Sequence, residues 1–352
     1  MVDMSSQSES GSTAEATSRH PSPRPSPQKQ KAVVVVGPGR SGTSALTRAL
    51  AALGVDLGNN LKRGSTKNPK GFFEDLEILD LNYELHEAFG LRRNGSSVRL
   101  LTDEDWERVD LDPFRARLKK IVRERFSGAE CWGFKCGGVI RMLPFWEESL
   151  EALEQRVYYV MAVRNPVDVS ASRRKLDALR GVREKCDVEW LTQVVPYYRR
   201  LFERRCVVVD YDRLLDDPQR ELRRMARVLE IDVTDKVESG IREYAEEFLN
   251  PDLRHSATGF DVFANDPQTN PVTREGYRWL LRFASDEVEP GNAAYEKWQH
   301  EWPNIEASLE TMRPLLRHID SLEDDLRTRG FGLNSFLRAR FWRGRGATTP
   351  AG

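Results

Sequence analysis

The chain has 352 residues, of which 31% are charged and 39% hydrophobic, enough for one large domain with a substantial core. Its 54 lysines and arginines nearly balance 55 aspartates and glutamates, which leaves a formal charge of −1, so no global field attracts nucleic acid. No apolar stretch reaches the length of a membrane span, and the N-terminus lacks the apolar region of a secretory signal.

The cysteines indicate a reducing compartment. Cys131, Cys136, Cys186 and Cys206 are scattered along the chain and form no CxxC motif. Reduced, buried thiols fit this pattern better than disulfides, and the spacing argues against a zinc site. We therefore expect a cytoplasmic protein without a metal or a nucleic-acid partner.

The two ends of the chain differ in composition from its middle. Residues 1–30 are mostly Ser, Pro, Glu, Gln and Thr, and such a segment buries too little apolar surface to offset its ordering entropy. We predict a disordered tail there, one folded domain over residues 31–330, and a basic, aromatic tail over residues 331–352. That last tail is expected either to contact an anionic membrane surface or to form a solubilising helix.

A strand, a glycine turn and a helix open the predicted domain. Four consecutive valines predict a strand over residues 32–37 that is buried on both faces. Gly37, Gly39 and Gly42 then predict a tight turn, and apolar spacing over residues 45–53 predicts a helix. Because this arrangement brings several N–H groups to one point, we predict an anion site, most naturally for a phosphate.

The turn differs from the P-loop of nucleoside triphosphatases. Gly37 and Gly42 have the separation of G-x-x-x-x-G-K-[ST], but Thr43 stands where the lysine for the β and γ phosphates belongs. Arg40 supplies a cation earlier in the turn. We predict a site for one phosphate-like group with an arginine fork. The alternative is a glycine-rich turn that only closes the sheet.

A loop carboxylate is the candidate general base. Glu74 follows two phenylalanines, and an apolar pocket there would raise the pKa of its carboxyl and let it accept a proton. In the alternative interpretation, Glu74 and Asp75 are first-turn acids of a helix predicted over residues 76–89, where they favour the helix dipole.

A lysine lies near the end of the next predicted strand. Lys135 belongs to the strand predicted over residues 132–136. From its position alone, Lys135 is interpreted as a strand-end cation that extends to solvent.

A second motif follows the strand predicted over residues 156–163. This strand ends at Arg164, Asn165 is the predicted N-cap, and Pro166 takes the first helical position. Ser172 lies on that helix. Ligands of open α/β sheets bind beyond the carboxyl ends of the strands, so Arg164 and Ser172 should face the same crevice as the glycine turn.

The remaining pattern predicts the fold class. With a further strand over residues 206–210, strands alternate with helices, which is typical of a three-layer α/β/α fold with a central parallel sheet. Residues 256–300 are predicted to be irregular and to shape acceptor choice. A charged helix is predicted over residues 305–328, kinked or split at Pro314.

Several other side chains have both a structural and a functional interpretation. His86 is predicted to be partly exposed on its helix, and His255 is the histidine kept as an active-site candidate. The helical spacing of Trp190, Tyr197 and Tyr198 favours core packing over stacking on a sugar.

These motifs together resemble sulfotransferases that use 3′-phosphoadenosine 5′-phosphosulfate (PAPS), in the bacterial form similar to carbohydrate and tyrosylprotein sulfotransferases. The stretch from Gly37 to Ser44 resembles the 5′-phosphosulfate loop. Arg164 and Ser172, eight positions apart, resemble the 3′-phosphate motif, with Ser170 the weaker candidate. Residues 132–135 and 208–218 are similar to further family segments, so the resemblance covers about residues 30–255.

The resemblance implies a P-loop NTPase-like fold and transfer of a sulfuryl group from PAPS to an acceptor hydroxyl without a metal. The acceptor is expected to be a small molecule, a glycan or a glycolipid. The implied catalytic residues are Glu74, Lys135 and Arg40. The implied cofactor contacts are Gly39, Arg40, Ser41, Gly42, Thr43, Ser44, Arg164 and Ser172.

The chain departs from the family in one informative place. Aryl and steroid members carry a histidine base two positions after the strand-end lysine, where this chain has Gly137. That difference favours a carboxylate base. Two other functions stay open: a degenerate P-loop phosphotransferase or NTPase, and a non-catalytic nucleotide- or sugar-binding protein.

Overall fold

The computed structural model describes residues 29–64, 71–93, 95–178, 180–249 and 258–328. Four strands form one sheet in the order β2-β1-β3-β4, and each neighbouring pair is parallel. All four begin and end within one residue of the predicted positions. The strands are β1 (Lys31–Val36), β2 (Cys131–Lys135), β3 (Arg156–Val163) and β4 (Arg205–Asp210).

Fourteen helices of the described residues surround the sheet. They are α1 (Thr43–Ala52), α2 (Leu76–Ala88), α3 (Asp103–Arg108), α4 (Asp112–Arg125), α5 (Leu143–Ala152), α6 (Pro166–Arg174), α7 (Arg183–Phe202), α8 (Tyr211–Asp216), α9 (Pro218–Val228), α10 (Asp235–Glu243), α11 (Phe260–Asn265), α12 (Pro271–Ala284), α13 (Ala293–Thr311) and α14 (Arg313–Thr328). Short 3-10 and π segments, Val139–Met142 and Tyr244–Phe248, complete the helical structure.

The side chains of strand β1 are buried on both faces of the sheet. Successive side chains of a strand point to opposite faces, and residues 32–36 are all fully buried. Val33 and Val35 pack with α1, α9 and α10, whereas Val34 and Val36 pack with α2, α5, α7 and α12. The predicted three-layer α/β/α architecture is therefore confirmed, and β1, its glycine turn and α1 form the strand–loop–helix unit of P-loop NTPase-like folds.

The prediction of an irregular segment over residues 256–300 is wrong for its described part, which contains α11, α12 and the start of α13. The polar residues that suggested loops are helix caps instead. Asn270 accepts hydrogen bonds from the first N–H groups of α12, and Asn292 does the same for α13. Tyr277 and Leu280 of α12 are buried in the main core.

The C-terminal helix begins earlier than predicted and is split as expected. Helix α13 starts at Ala293 and continues through Pro303, so the predicted start at residue 305 is wrong. It ends at Thr311, Met312 is its C-cap, and α14 begins at Arg313. Pro314 lies in the first turn of α14, where its missing N–H breaks no helical hydrogen bond.

Several predictions concern residues outside the described ranges. The N-terminal tail before residue 29, the tail over residues 331–352 and His255 all lie there. Across the described ranges, we find no helix with both the length and the apolar character needed to cross a bilayer. The four cysteines are free thiols.

Candidate active site

The glycine turn after β1 contains three residues with positive φ, two of them glycines. Gly37, Arg40 and Gly42 all have positive φ, at 137°, 76° and 91°. A Cβ on Gly37 would lie 2.7 Å from the Ala162 carbonyl, and one on Gly42 would lie 2.2 Å from the Tyr211 ring. The turn therefore requires glycine at both positions.

Helix α1 directs its N-terminus into this turn. Gly42 is the N-cap and has no side chain that could accept from the first N–H groups of the helix. Thr43 is the first helical residue. The side chain of Ser41 is 1% exposed. Together the helix dipole and these N–H groups favour an anion at this point.

The structure brings the two predicted arginines together. Arg40 donates from Nε to Ser172 Oγ at 3.2 Å, and Arg164 donates to the Arg40 carbonyl at 3.4 Å across 124 positions of sequence. The Arg164 guanidinium also lies 4.8 Å from the centre of the Tyr211 ring. Both motifs therefore face one crevice at the carboxyl edge of the sheet.

Two buried polar atoms in this crevice lack a partner. In the described part of the chain, neither Arg164 Nε nor Ser41 Oγ forms a hydrogen bond. Arg40 and Arg164 also join none of the ion pairs found among these residues. Buried donors are almost always satisfied in proteins, and a buried charge needs a counter-charge. A phosphate-bearing ligand fits this set of donors.

The positive charges also act on one another. Partial desolvation lowers the pKa of Arg40, and the like charges of Arg164 and Arg173 lower it further. An anion bound between these groups would relieve the repulsion.

The two serines of the second motif have different partners. Ser172 accepts from Arg40, whereas Ser170 donates to the Gly181 carbonyl at 2.9 Å. Ser170 is thus engaged within the fold, and Ser172 is the serine that lies beside the glycine turn.

Glu74, Lys135 and the glycine turn form a continuous set of contacts. Lys135 donates from Nζ to Glu74 Oε1 at 2.9 Å and to Ser44 Oγ at 3.4 Å. Lys62 donates to the other carboxylate oxygen of Glu74 at 3.2 Å. The backbone of Glu74 is held as well, since its carbonyl accepts from Lys62 N at 2.7 Å.

These contacts correct two expectations. Glu74 does not lie in a purely apolar pocket, because two ammonium groups contact its carboxylate. Lys135 does not extend to solvent, because its side chain is only 7% exposed. Burial lowers the pKa of Lys135, and the negative charge of Glu74 opposes that effect.

The neighbouring acid has the structural role that was considered for both. Asp75 is the N-cap of α2 and accepts from Glu77 N and Ile78 N. It also forms an ion pair with Arg125 at 2.5 Å. Asp75 is therefore the cap of α2, and Glu77 is the acid in its first turn.

Helix α2 also holds the loop that follows Lys135. Asn82 donates to the Gly137 carbonyl at 2.9 Å, and His86 Nε2 lies 3.1 Å from the Gly138 carbonyl. His86 is fully buried, so the prediction of partial exposure is wrong. Burial lowers its pKa to about 4, followed by the effect of the Arg141 charge.

Sequence reasoning missed two residues of the site, Tyr211 and Arg173. Tyr211 lies directly after β4, and its ring contacts both Gly42 and Arg164. Arg173 lies next to Ser172 and donates to the Gly39 carbonyl at 3.2 Å. Two features of the sequence could have identified them. Tyr211 follows the end of a predicted strand, and Arg173 is adjacent to the motif residue Ser172.

The aromatic side chains once considered for sugar stacking are core residues. Trp190, Tyr197 and Tyr198 are buried in the main hydrophobic cluster, as their spacing favoured. Within the described ranges, no group of three or more His, Cys, Asp or Glu side chains is arranged to hold a metal ion.

Solved sulfotransferases are similar to this chain in structure. Sulfotransferase STF1 from Mycobacterium tuberculosis has 16% identity and a TM-score of 0.39, covering 64% of this chain and 75% of that one. STF9 from Mycobacterium avium has 15% identity and a TM-score of 0.41, covering 66% and 70%. The sulfotransferase domain of the Synechococcus PCC 7002 olefin synthase has 15% identity and a TM-score of 0.38, covering 74% and 96%.

These values describe a distant likeness, so the functional argument rests on the residues of the chain itself. No family model and no curated protein matches the sequence. The three solved proteins are sulfotransferases, and each is similar to this chain over the shares given above.

Proposed function

We propose that the protein is a sulfotransferase that moves a sulfuryl group from PAPS to a hydroxyl of an acceptor, with a carbohydrate or glycolipid as the acceptor class. The observation that carries the proposal is the line of contacts from Glu74 through Lys135 to Ser44 of the glycine turn. It puts a carboxylate, a buried cation and an anion site side by side. The acceptor class rests on the motif resemblance alone.

The residues at the carboxyl edge divide the binding task. The glycine turn and the N-terminus of α1 would hold the 5′ phosphosulfate, since their N–H groups converge there. Arg164 and Ser172 would hold the 3′ phosphate. Arg40 lies between the two groups and donates to Ser172, and its fork suits a phosphate oxygen.

Glu74 and Lys135 would divide the chemical task. PAPS supplies the sulfuryl group, whose bond to the 5′ phosphate oxygen breaks as a new bond to the acceptor oxygen forms. Glu74 would take the hydroxyl proton, and Lys135 would place positive charge near the departing oxygen. A carboxylate has about four acceptor positions, so its two lysine contacts leave room for the acceptor hydroxyl.

Calorimetry and a transfer assay test the proposal together. We expect the purified protein to bind 3′-phosphoadenosine 5′-phosphate (PAP) and to transfer label from radiolabelled PAPS to a member of a panel of sugars and glycolipids, with p-nitrophenol as a non-carbohydrate control. ATP turnover without PAP binding would instead support a degenerate P-loop NTPase. PAP binding without transfer to any panel member would support a binding protein.

A further inference from the structure

Arg173 connects the glycine turn to a buried carboxylate on another helix. It is the last but one residue of α6 and is 6% exposed. One terminal nitrogen donates to the Gly39 carbonyl at 3.2 Å, and the other donates to Glu189 of α7 at 2.5 Å. Glu189 is 1% exposed and also forms an ion pair with Arg180 at 3.0 Å.

The contact with Gly39 fixes the direction of a peptide group. A trans peptide is planar, so its N–H points away from its carbonyl. Arg173 holds the Gly39 carbonyl, which sets the direction of the Arg40 N–H. Arg164 holds the next carbonyl, that of Arg40. Two guanidinium groups thus fix two consecutive peptides of the turn that is proposed to bind the 5′ phosphate.

Glu189 in turn fixes Arg173. A long arginine side chain loses much rotamer entropy when it is ordered, and a buried carboxylate provides the counter-charge that keeps it in place. Both terminal nitrogens of Arg173 are engaged, one by the Gly39 carbonyl and the other by Glu189, so Arg173 serves the turn as a hydrogen-bond donor.

We propose that Arg173 and Glu189 are positioning residues for the glycine turn, with Glu189 acting through Arg173 on the Gly39 carbonyl. The inference rests on the proposed function, because it assigns the turn to the 5′ phosphate of the cofactor. This proposal extends the site from the carboxyl edge of the sheet to Glu189 in the first half of α7, a helix that packs against the sheet.

The chain offers a matched control. Glu147 of α5 is also 1% exposed, and it also forms ion pairs with two arginines, Arg200 and Arg204. The described contacts of these three side chains do not reach the glycine turn. A change at Glu147 therefore removes the ion pairs of a buried carboxylate, whose arginine partners are 41% and 44% exposed, without the proposed effect on the turn.

The test measures binding of three nucleotides by calorimetry: PAP, adenosine 5′-monophosphate and adenosine 3′-monophosphate. Arg173→Gln should weaken PAP and the 5′-monophosphate about tenfold each, and should leave the 3′-monophosphate within about twofold. Glu189→Gln should act in the same direction. The double variant should bind PAP no more weakly than Arg173→Gln, since both changes break one connection.

Control variants decide between positioning and general destabilisation. Glu147→Gln should lower the melting temperature and leave PAP affinity within about twofold. If Arg173→Gln does not fold, Arg173→Lys is used, which keeps the charge but cannot reach both partners in the same way. Equal weakening of all three nucleotides, additive effects in the double variant, or equal weakening by Glu147→Gln would overturn the inference. Absence of PAP binding by the wild type would instead overturn the proposed function.

Discussion

The arginines at the two edges of the central sheet differ in their ion pairing. At the amino edge, Arg156 and Arg205 both form ion pairs with Glu230, which also accepts from the Tyr158 hydroxyl. At the carboxyl edge, Arg40 and Arg164 have no carboxylate partner among the described residues. The same residue type is therefore structural at one edge and available to a ligand at the other.

The amino edge also carries a cavity. A cavity of about 970 Å³ lies at the amino edge and is lined by Lys31, Asp56, Cys131, Glu230 and Asp232, among others. Its basic and acidic groups are mixed, and Glu230 already neutralises the arginines beside it. Uncompensated buried cations are costly, so the unpaired Arg164 is the better sign of a ligand site.

The largest expected effect concerns the carboxylate of the carboxyl edge. Glu74→Gln removes the proposed proton acceptor but keeps the shape of the side chain. We expect kcat to fall about 100- to 10,000-fold, with PAP affinity within a few-fold of the wild type. Initial rates with radiolabelled PAPS and calorimetry with PAP measure the two quantities.

Asp75→Asn is the matched control for that variant. Asparagine still caps α2 but loses the charge that pairs with Arg125, so this variant should lose stability and keep its turnover. Retained turnover in Glu74→Gln would show that another group accepts the proton.

Acid should lower the stability of the fold through His86, which contacts the loop after Lys135 at the carboxyl edge. The pKa of buried His86 is about 4, whereas an unfolded histidine titrates near about 6.5. Between these values the unfolded chain binds more protons, so the free energy of unfolding should fall with decreasing pH, by up to about 3 kcal/mol at about pH 4. Urea unfolding of the wild type and His86→Gln at several pH values measures this contribution.

The amino edge should respond in a different pH range. The Tyr158 hydrogen bond, followed by Arg156, lowers the pKa of Glu230 below its usual value. The contribution of Glu230 to stability is present above the usual pKa of a glutamate and is lost only as the pH falls through the lowered pKa of Glu230.

Two buried acids change stability in the direction opposite to His86. Burial raises the pKa values of Asp187 and Asp210 to about 6, so their effect on stability with falling pH opposes that of His86. An unchanged pH dependence in His86→Gln would therefore remove the assignment to His86.

Binding should separate the arginines of the two edges. Arg164→Ala should weaken PAP by about 1.5–3 kcal/mol, since it removes charge-assisted contacts to the ligand. Arg205→Ala removes an arginine that Glu230 already pairs, and PAP affinity should not change. Calorimetry measures the PAP affinity of both variants. Equal affinities would contradict the inference that arginines without a carboxylate partner mark the ligand site.

The smallest effect sharpens the role of the turn backbone. Alanine at Gly42 or Gly54 meets a positive φ, 91° or 86°, which costs about 1–2 kcal/mol in either case. Only at Gly42 would the new Cβ meet the Tyr211 ring, whereas Gly54 has no atom within 4 Å. Both variants should lose stability in thermal unfolding, and only Gly42→Ala should also lose PAP affinity. Wild-type affinity in Gly42→Ala would argue against a role for Tyr211 in the site.

The sequence determined the local units of this protein. Four valines in succession require a covered strand, and the glycines that follow require the turn, because both depend on side chains within a few residues. The cap and proline after Arg164 likewise set the start of α6. These units put Arg40, Arg164 and Ser172 at one edge of a parallel sheet, where the structure brings them into contact.

Tertiary structure decided which partners these units meet. The sequence offered no reason to join Glu74 to both Lys135 and Lys62, to place Tyr211 against Gly42, or to bury His86 beneath the Gly138 carbonyl. Apart from the Glu74–Lys62 contact, which spans 12 positions, each contact links segments that are far apart in the chain, and it exists because particular helices cover particular faces of the sheet. The chain itself specifies a glycine turn with the features of an anion site, whereas packing decides which cations of the described residues lack a carboxylate partner beside it.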